Sequence, residues 1–179
     1  PEDMEYAAKL GRTIKLLGTS RRLADGTCYA MVAPFMLGQN SPLYSVNDVF
    51  NAVFVHGNML GDAMFYGSGA GKLPTASAVV ADVVDCAKNK GRNIMMSWSE
   101  EKLDLLQIDD VKSRFFVRVS GHAAERQSEI EELFGKAEIV AVPSLSEEFA
   151  FITGEITEQE YREKAEKLDG IQSRIRARI

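Results

Sequence analysis

Residues 114–179 read RFFVRVSGHAAERQSEIEELFGKAEIVAVPSLSEEFAFITGEITEQEYREKAEKLDGIQSRIRARI. RFFVRVS is a β-branched and aromatic run and predicts a strand. ERQSEIEELFG predicts a helix with Ile130, Leu133 and Phe134 on one side and Gly135 as its stop. AEIVAVPS and EFAFITG predict two strands joined by an acidic turn. Thr157 and Glu160 stand at the capping-box spacing and open a second helix, TEQEYREKAEKL. GIQSRIRARI alternates and predicts a last strand. The order β-α-β-β-α-β is the ferredoxin-like arrangement.

Upstream, EDMEYAAKL reads as the C-terminal piece of a helix stopped by Gly11. TIKLLGTSRR and GTCYAMVAPFML predict strands joined at Asp25-Gly26, a strong hairpin signal. FNAVFVHG and DAMFYGSG predict two more strands, turning near His56-Gly57-Asn58. From about Pro74 to Asn89, Ala78, Val79, Val83, Val84 and Ala87 recur at helical spacing, which predicts a helix with one face packed on the sheet. Residues 88–112 have no strong period, and a domain boundary is expected near residue 110. The expected class is α+β: a mostly antiparallel sheet with covering helices, then a ferredoxin-like βαββαβ domain.

The 179 residues are 45% hydrophobic, ample for a core, and carry a net charge of -5, which argues against nucleic-acid and anionic-membrane binding. No apolar run of about 18 residues and no secretory leader is visible, so a cytoplasmic protein is expected. Cys28 and Cys86 match no metal or redox spacing and are expected to be buried reduced thiols. His56 and His122 have no metal-ligand partners at a suitable spacing and read as surface residues; no metal site is expected. Met31, Met36, Met59, Met64, Met95 and Met96 read as core filler.

The stretch FYGSGAGKLPTASAVVADVVD (65–85) places three glycines before a helix start. A P-loop needs four residues between its glycines and then Gly-Lys-Ser/Thr. Here three separate Gly67 from Gly71, and Leu73 follows Lys72. A dinucleotide fingerprint needs G-x-G-x-x-G at the start of a β-α-β unit, and the spacing here is G-x-G-x-G. What survives is a flexible backbone with free amides at a helix N-terminus, able to face a carbonyl, carboxylate or phosphate. The alternative is a tight strand-to-helix turn with no ligand.

TIKLLG, VFNAVFVHGNMLGDAMFYGSGAG and LPTASAVVADVVD closely resemble the C-terminal part of the catalytic domain of bacterial homoserine dehydrogenases, from about Glu2 to Ala87. The G-A-G-x-x-P-T-A-S-A-V-V-x-D run is long and specific. The βαββαβ unit is similar to the ACT regulatory domain that many members carry at the C-terminus. The resemblance implies an NAD(P)-dependent oxidoreductase interconverting L-homoserine and L-aspartate 4-semialdehyde in threonine and methionine biosynthesis. It implies that Gly71 contacts the NADP or NAD cofactor, with Gly69 and Ala70 shaping the same pocket, and that Thr75 caps the helix. It places the Rossmann domain and the catalytic Asp and Lys upstream of this chain, so no catalytic residue is expected here. Lys15 and Lys72 read as solvated. A C-terminal piece of the enzyme, inactive alone, is therefore expected.

The implied domains are 1–90, the end of the catalytic and dimerisation domain, 91–110, a linker, and 111–179, ACT-like. The implied partners are a second copy, as a homodimer, and an L-threonine effector. In VSGHAAERQSEIEELFG the usual D-x-x-G turn keeps only Gly121, and an assembly role without effector stays open. So does a stand-alone amino-acid sensor. Gln172, Arg174, Arg176 and Arg178 are expected on one face of the last strand and Ile171, Ile175 and Ile179 on the other. Arg114 and Arg118 alternate likewise on the first. The basic stripe reads as a solvated face paired with acids, or as a subunit contact or anion site.

Overall fold

The computed structural model describes residues 1–92 and 95–178. Along the chain lie α1 (Glu2–Lys9), β1 (Thr13–Arg22), β2 (Cys28–Leu37), β3 (Phe50–Gly57), β4 (Gly61–Ser68), α2 (Lys72–Lys88), β5 (Lys112–Ser120), α3 (Ala123–Phe134), β6 (Glu138–Val140), β7 (Glu148–Ile152), β8 (Ile156–Thr157), α4 (Glu158–Ala165) and β9 (Ile171–Arg178). They divide into two compact units, Pro1–Tyr44 with Leu103–Ile179, and Ser45–Lys102.

The first unit is built on a sheet of order β1-β2-β9-β5-β7-β6, with β8 paired to the start of β5. The run β9-β5-β7-β6 is antiparallel throughout and is the expected ferredoxin-like unit. Strict alternation along β5 serves both faces. Phe115, Val117 and Val119 point to Ile130 and Phe134 of α3 and Tyr161 of α4, with Phe149 and Phe151 beside them. Phe116 points the other way, to Tyr6 and Ala7 of α1, with Met36, Ile152, Ile175 and Ala177. Phe115, Phe116, Phe149 and Phe151 are fully buried, each contributing roughly 1.5–3 kcal/mol of transfer free energy.

β1 and β2 form the expected hairpin; Gly26 takes φ 90°, and Asp25 Oδ1 accepts from the Thr27 amide at 2.9 Å and its hydroxyl at 2.7 Å. That hairpin does not join β3 and β4. Instead Phe35, Met36 and Leu37 of β2 pair in parallel with Arg176, Ala177 and Arg178 of β9. The compact units therefore cut the chain differently from the boundaries expected at 90 and 111, because sheet pairing joins residues far apart in sequence.

The last strand departs from simple alternation. Pairing steps from Arg118 opposite Ser173 to Val119 opposite Ile171, so Gln172 is an extra residue in the ladder. Such a bulge turns the strand over. Ile171 accordingly packs with the helix-side cluster and Ile175 with the α1-side cluster, not on one shared face. Ile179, expected to share that face, lies outside the described residues.

The basic stripe is solvated in part: Gln172, Arg174 and Arg178 are exposed, Arg176 is half-buried, and Arg118 on β5 is buried. Arg174 and Arg176 lie beside the helices and close on the carboxylate of Glu158, the first residue of α4, at 2.9 and 2.5 Å. Glu158 is buried, and the Arg174 guanidinium lies over the rings of Phe115 and Tyr161. The expected pairing with acids holds for Arg174 and Arg176, and the expected solvation holds for Gln172, Arg174 and Arg178 but not for Arg118.

The second unit is the β3–β4 hairpin followed by α2. None of the α2 residues is buried, and Val79, Val80, Val83 and Val84 are all exposed. The expected packing of this helix on a sheet is thus absent; a two-stranded ribbon offers too small a platform to bury a helix face. Cys86 is exposed on α2 and Cys28 is half-buried; both are free thiols, and neither is buried as expected. Of the methionines read as core filler, Met36 is fully buried and Met31 packs half-buried, while Met59, Met64, Met95 and Met96 are exposed.

Candidate functional site

The glycine loop runs from the end of β4 into α2. Gly67 pairs with Asn51 across the hairpin, and the Gly69 amide donates to Val49 O at 3.3 Å. A Cβ built on Gly69 would lie 2.0 Å from Asn51 Nδ2 and 2.8 Å from its Cγ, so Gly69 is glycine because Asn51 lies against it. Gly71 is the N-cap of α2, with φ 114° and ψ 155°. That region is essentially reserved for glycine. A Cβ on Gly67 would meet nothing within 4 Å.

No side chain caps α2, and its first turn carries no acid. The first amides of a helix lack intrahelical acceptors, and Pro74 has none to offer, so the donors at this helix start belong to Lys72 and Leu73. Gly69, Ala70 and Gly71 are exposed. The loop thus fits a ligand edge that approaches bare backbone and a positive helix end. Thr75, expected as a cap, is instead the fourth residue of the helix, its amide donating to Gly71 O at 3.2 Å. Lys72 is exposed at the helix start and Lys15 half-buried on β1. His56 Nδ1 lies 2.6 Å from Asp62 Oδ1 across the β3–β4 hairpin, both groups exposed.

A second concavity lies in the first unit. A cavity of about 350 Å³ is lined by Gly121, His122, Ala123 and Ala124 at the start of α3, by Val142 and Ser146 of the β6–β7 loop, and by Glu148. His122 is the N-cap of α3 yet makes no capping bond with its side chain. Behind the cavity Arg118 is nine-tenths buried and faces three carboxylates, Glu2 and Asp3 of α1 and Glu148 of β7, at 3.4, 3.3 and 3.4 Å. Sequence reading placed Arg118 on a surface stripe and overlooked Glu148. The one available signal was an arginine set between two valines in the apolar stretch of the strand. Among the described residues no group of three or more His, Cys, Asp or Glu side chains could hold a metal ion, and no helix is long and apolar enough to cross a membrane.

Residues 1–84 match the family model described as homoserine dehydrogenase. The homoserine dehydrogenase of Corynebacterium glutamicum is 47% identical over 92 residues, which are 49% of this chain and 21% of that protein. That of Helicobacter pylori is 35% identical over 120 residues, 66% of this chain and 28% of that protein. A solved homoserine dehydrogenase from Thiobacillus denitrificans superposes with a TM-score of 0.77 at 28% identity, over 99% of this chain and 45% of that one. Residues 1–84 of the chain belong to the homoserine dehydrogenase family. The chain corresponds to the C-terminal part of such a protein. A homoserine dehydrogenase from S. aureus solved at pH 7.0 matches over 99% of this chain and 44% of its own, with a TM-score of 0.72 and 25% identity. The chain therefore spans less than half the length of these homoserine dehydrogenases, and the likeness in structure extends beyond residue 84 into the βαββαβ unit.

Proposed function

We propose that this chain is the C-terminal part of an NAD(P)-dependent homoserine dehydrogenase that interconverts L-homoserine and L-aspartate 4-semialdehyde in the cytoplasm, in threonine and methionine biosynthesis. In this reading residues 1–90 end the catalytic domain, 91–110 link, and 111–179 form an ACT-like regulatory domain. The nicotinamide supplies hydride exchange. This chain's share is to bring Gly71, with Gly69 and Ala70, against the cofactor edge, where the absence of side chains lets backbone approach closely. The observation that carries the reading is Gly71 at a φ/ψ that only glycine holds well, at an uncapped helix start. The test is Gly71→Ala in the full-length enzyme. The expected outcome is weaker binding of NADPH and NADH by fluorescence titration, with a cooperative melting transition retained at a somewhat lower temperature. Unchanged affinity for both would remove the loop from the cofactor site.

The same reading includes a homodimer. Val79, Val80, Val83 and Val84 of α2 leave an apolar stripe uncovered in its own unit, which favours a partner surface. Val83→Glu should shift the full-length enzyme toward monomer by sedimentation.

The cavity at the start of α3 favours a regulatory ligand in the ACT-like part. Ala123, Ala124, Val142 and Phe149 supply an apolar wall and Glu148 a carboxylate. The helix start of α3 adds backbone donors. That set suits a small amino acid such as L-threonine: carboxylate toward α3, ammonium toward Glu148. At about 100 times its Kd such a ligand adds roughly 2.7 kcal/mol of stability, read as a rise in melting temperature with L-threonine.

A further inference from the structure

Helix α1 covers the sheet face opposite α3 and α4 and is held there by links to the β6–β7 loop, β5, β9 and the cavity-lining Glu148. Ser144 Oγ, in the β6–β7 loop, donates to Glu5 Oε2 at 2.6 Å. The Tyr6 hydroxyl donates to Glu148 O at 3.3 Å, and Ser173 Oγ donates to Asp3 Oδ1 at 2.5 Å. Arg118 completes the seat through Glu2 and Asp3. An eight-residue helix is marginal by itself, so α1 persists because of this seat.

The Arg118 contact to Glu148 differs from the others. Arg118 Nε and Glu148 Oε1 are both buried and 3.4 Å apart, yet neither has a hydrogen-bond partner. Buried polar atoms are rarely left so. One guanidinium is shared among three carboxylates, so Glu148 repels the acids of α1 while drawing on the cation that holds them. Glu148 also faces the cavity.

We propose that α1 is a strap clamped from the cavity through Glu148: an ammonium group entering the cavity takes the Glu148 carboxylate, leaves Arg118 to Glu2 and Asp3, and tightens α1 against the sheet. The inference rests on the amino-acid reading of the cavity and adds how its occupancy is felt elsewhere. α1 falls in the stretch matched by the family model and runs through Gly11 into β1. The strap thereby ties the ACT-like sheet to the family-model part of the chain. Coupling of this kind is reciprocal, so whatever loosens the strap weakens the ligand.

The test is hydrogen exchange of the α1 amides in the whole chain, with calorimetry run in parallel using L-threonine and its des-amino analogue 3-hydroxybutyrate. Exchange in α1 should slow by roughly fivefold or more with L-threonine, and stay unchanged with 3-hydroxybutyrate. Glu148→Gln, which relieves the repulsion without any ligand, should also slow α1. The double variant Glu2→Gln/Asp3→Asn, on the strap itself, should speed α1 exchange and weaken L-threonine by a similar factor. Calorimetric binding with α1 exchange unmoved would overturn the strap and leave the amino-acid site standing. Absence of binding, with Glu148→Gln still slowing α1, would remove the ligand reading and support the strap. Exchange in Glu148→Gln equal to or faster than the parent would overturn it outright.

Discussion

Asn51 lies directly under Gly69: a Cβ on that glycine would fall 2.0 Å from Asn51 Nδ2, so the loop after β4 rests on the strand it pairs with. The atom in the way is the end of an exposed side chain. Gly69→Ala therefore requires Asn51 to rotate away and its Cβ, 3.2 Å from the new methyl, to give by a few tenths of an ångström, and should cost a modest amount of stability. Gly71→Ala meets no such neighbour but must hold φ 114°, at a cost of roughly 1–3 kcal/mol. Gly67→Ala should be near neutral. Amide exchange in the first turn of α2 should rise in Gly71→Ala alone; equal exchange in all three variants would count against backbone strain at this site.

Glu158 and its two arginines give a sharper stability test. The carboxylate is buried and accepts from Arg174 Nη1 at 2.9 Å and Arg176 Nε at 2.5 Å. Glu158→Ala leaves two cations without their shared carboxylate, one of them over the Phe115 and Tyr161 rings, and should cost about 3–5 kcal/mol in urea unfolding. The triple variant Glu158→Met/Arg174→Met/Arg176→Met should recover most of that loss, since the pair's desolvation cost disappears with its charges.

Alkaline pH should unfold the first unit through its buried phenols. Burial pushes Tyr6 and Tyr161 up to about 12, from an ordinary value near 10. Folding raises both pKa values, so their contribution is complete below pH 10 and is lost between pH 10 and about 12. Phenolate absorbance should show two tyrosines ionising together with unfolding. Tyr6→Phe should flatten that dependence and cost about 1 kcal/mol for the bond to Glu148 O.

At acid pH the α4 cap weakens. The Glu160 amide donates to Thr157 Oγ1 at 3.1 Å, while Glu160 Oε2 accepts from the Thr157 amide at 2.8 Å. That amide bond holds the Glu160 carboxyl below its usual 4.5. The folded value is depressed, so the cap is complete above pH 4.5 and is lost as pH falls through the folded value. Thr157→Ala should cost about 1 kcal/mol at neutral pH, with a smaller difference in melting temperature once the pH has fallen through the depressed Glu160 value.

The sequence alone determined what repeats within one element. Alternation in RFFVRVS, the capping spacing Thr157–Glu160 and the Asp25-Gly26 turn identify strands, helix and hairpin because each is decided by neighbours a few residues away. The glycines at 69 and 71 were legible as a loop that bares its backbone, and the G-A-G-x-x-P-T-A-S-A-V-V run named the family. Only the tertiary structure decided which surfaces meet. Nothing local in TCYAMVAPFML says that β2 pairs with β9, or that Tyr6 fills the second face of that sheet. The extra residue Gln172 turns Ile171 to the helices, and a bulge depends on the partner strand's register. Arg118 read as part of a basic stripe, and Glu148 and Glu158 were not singled out, because a side chain's burial is set by residues distant in sequence. Arg118 and Glu158 anchor buried ion pairs of the first unit, and Glu148 also lines its cavity, for the same reason.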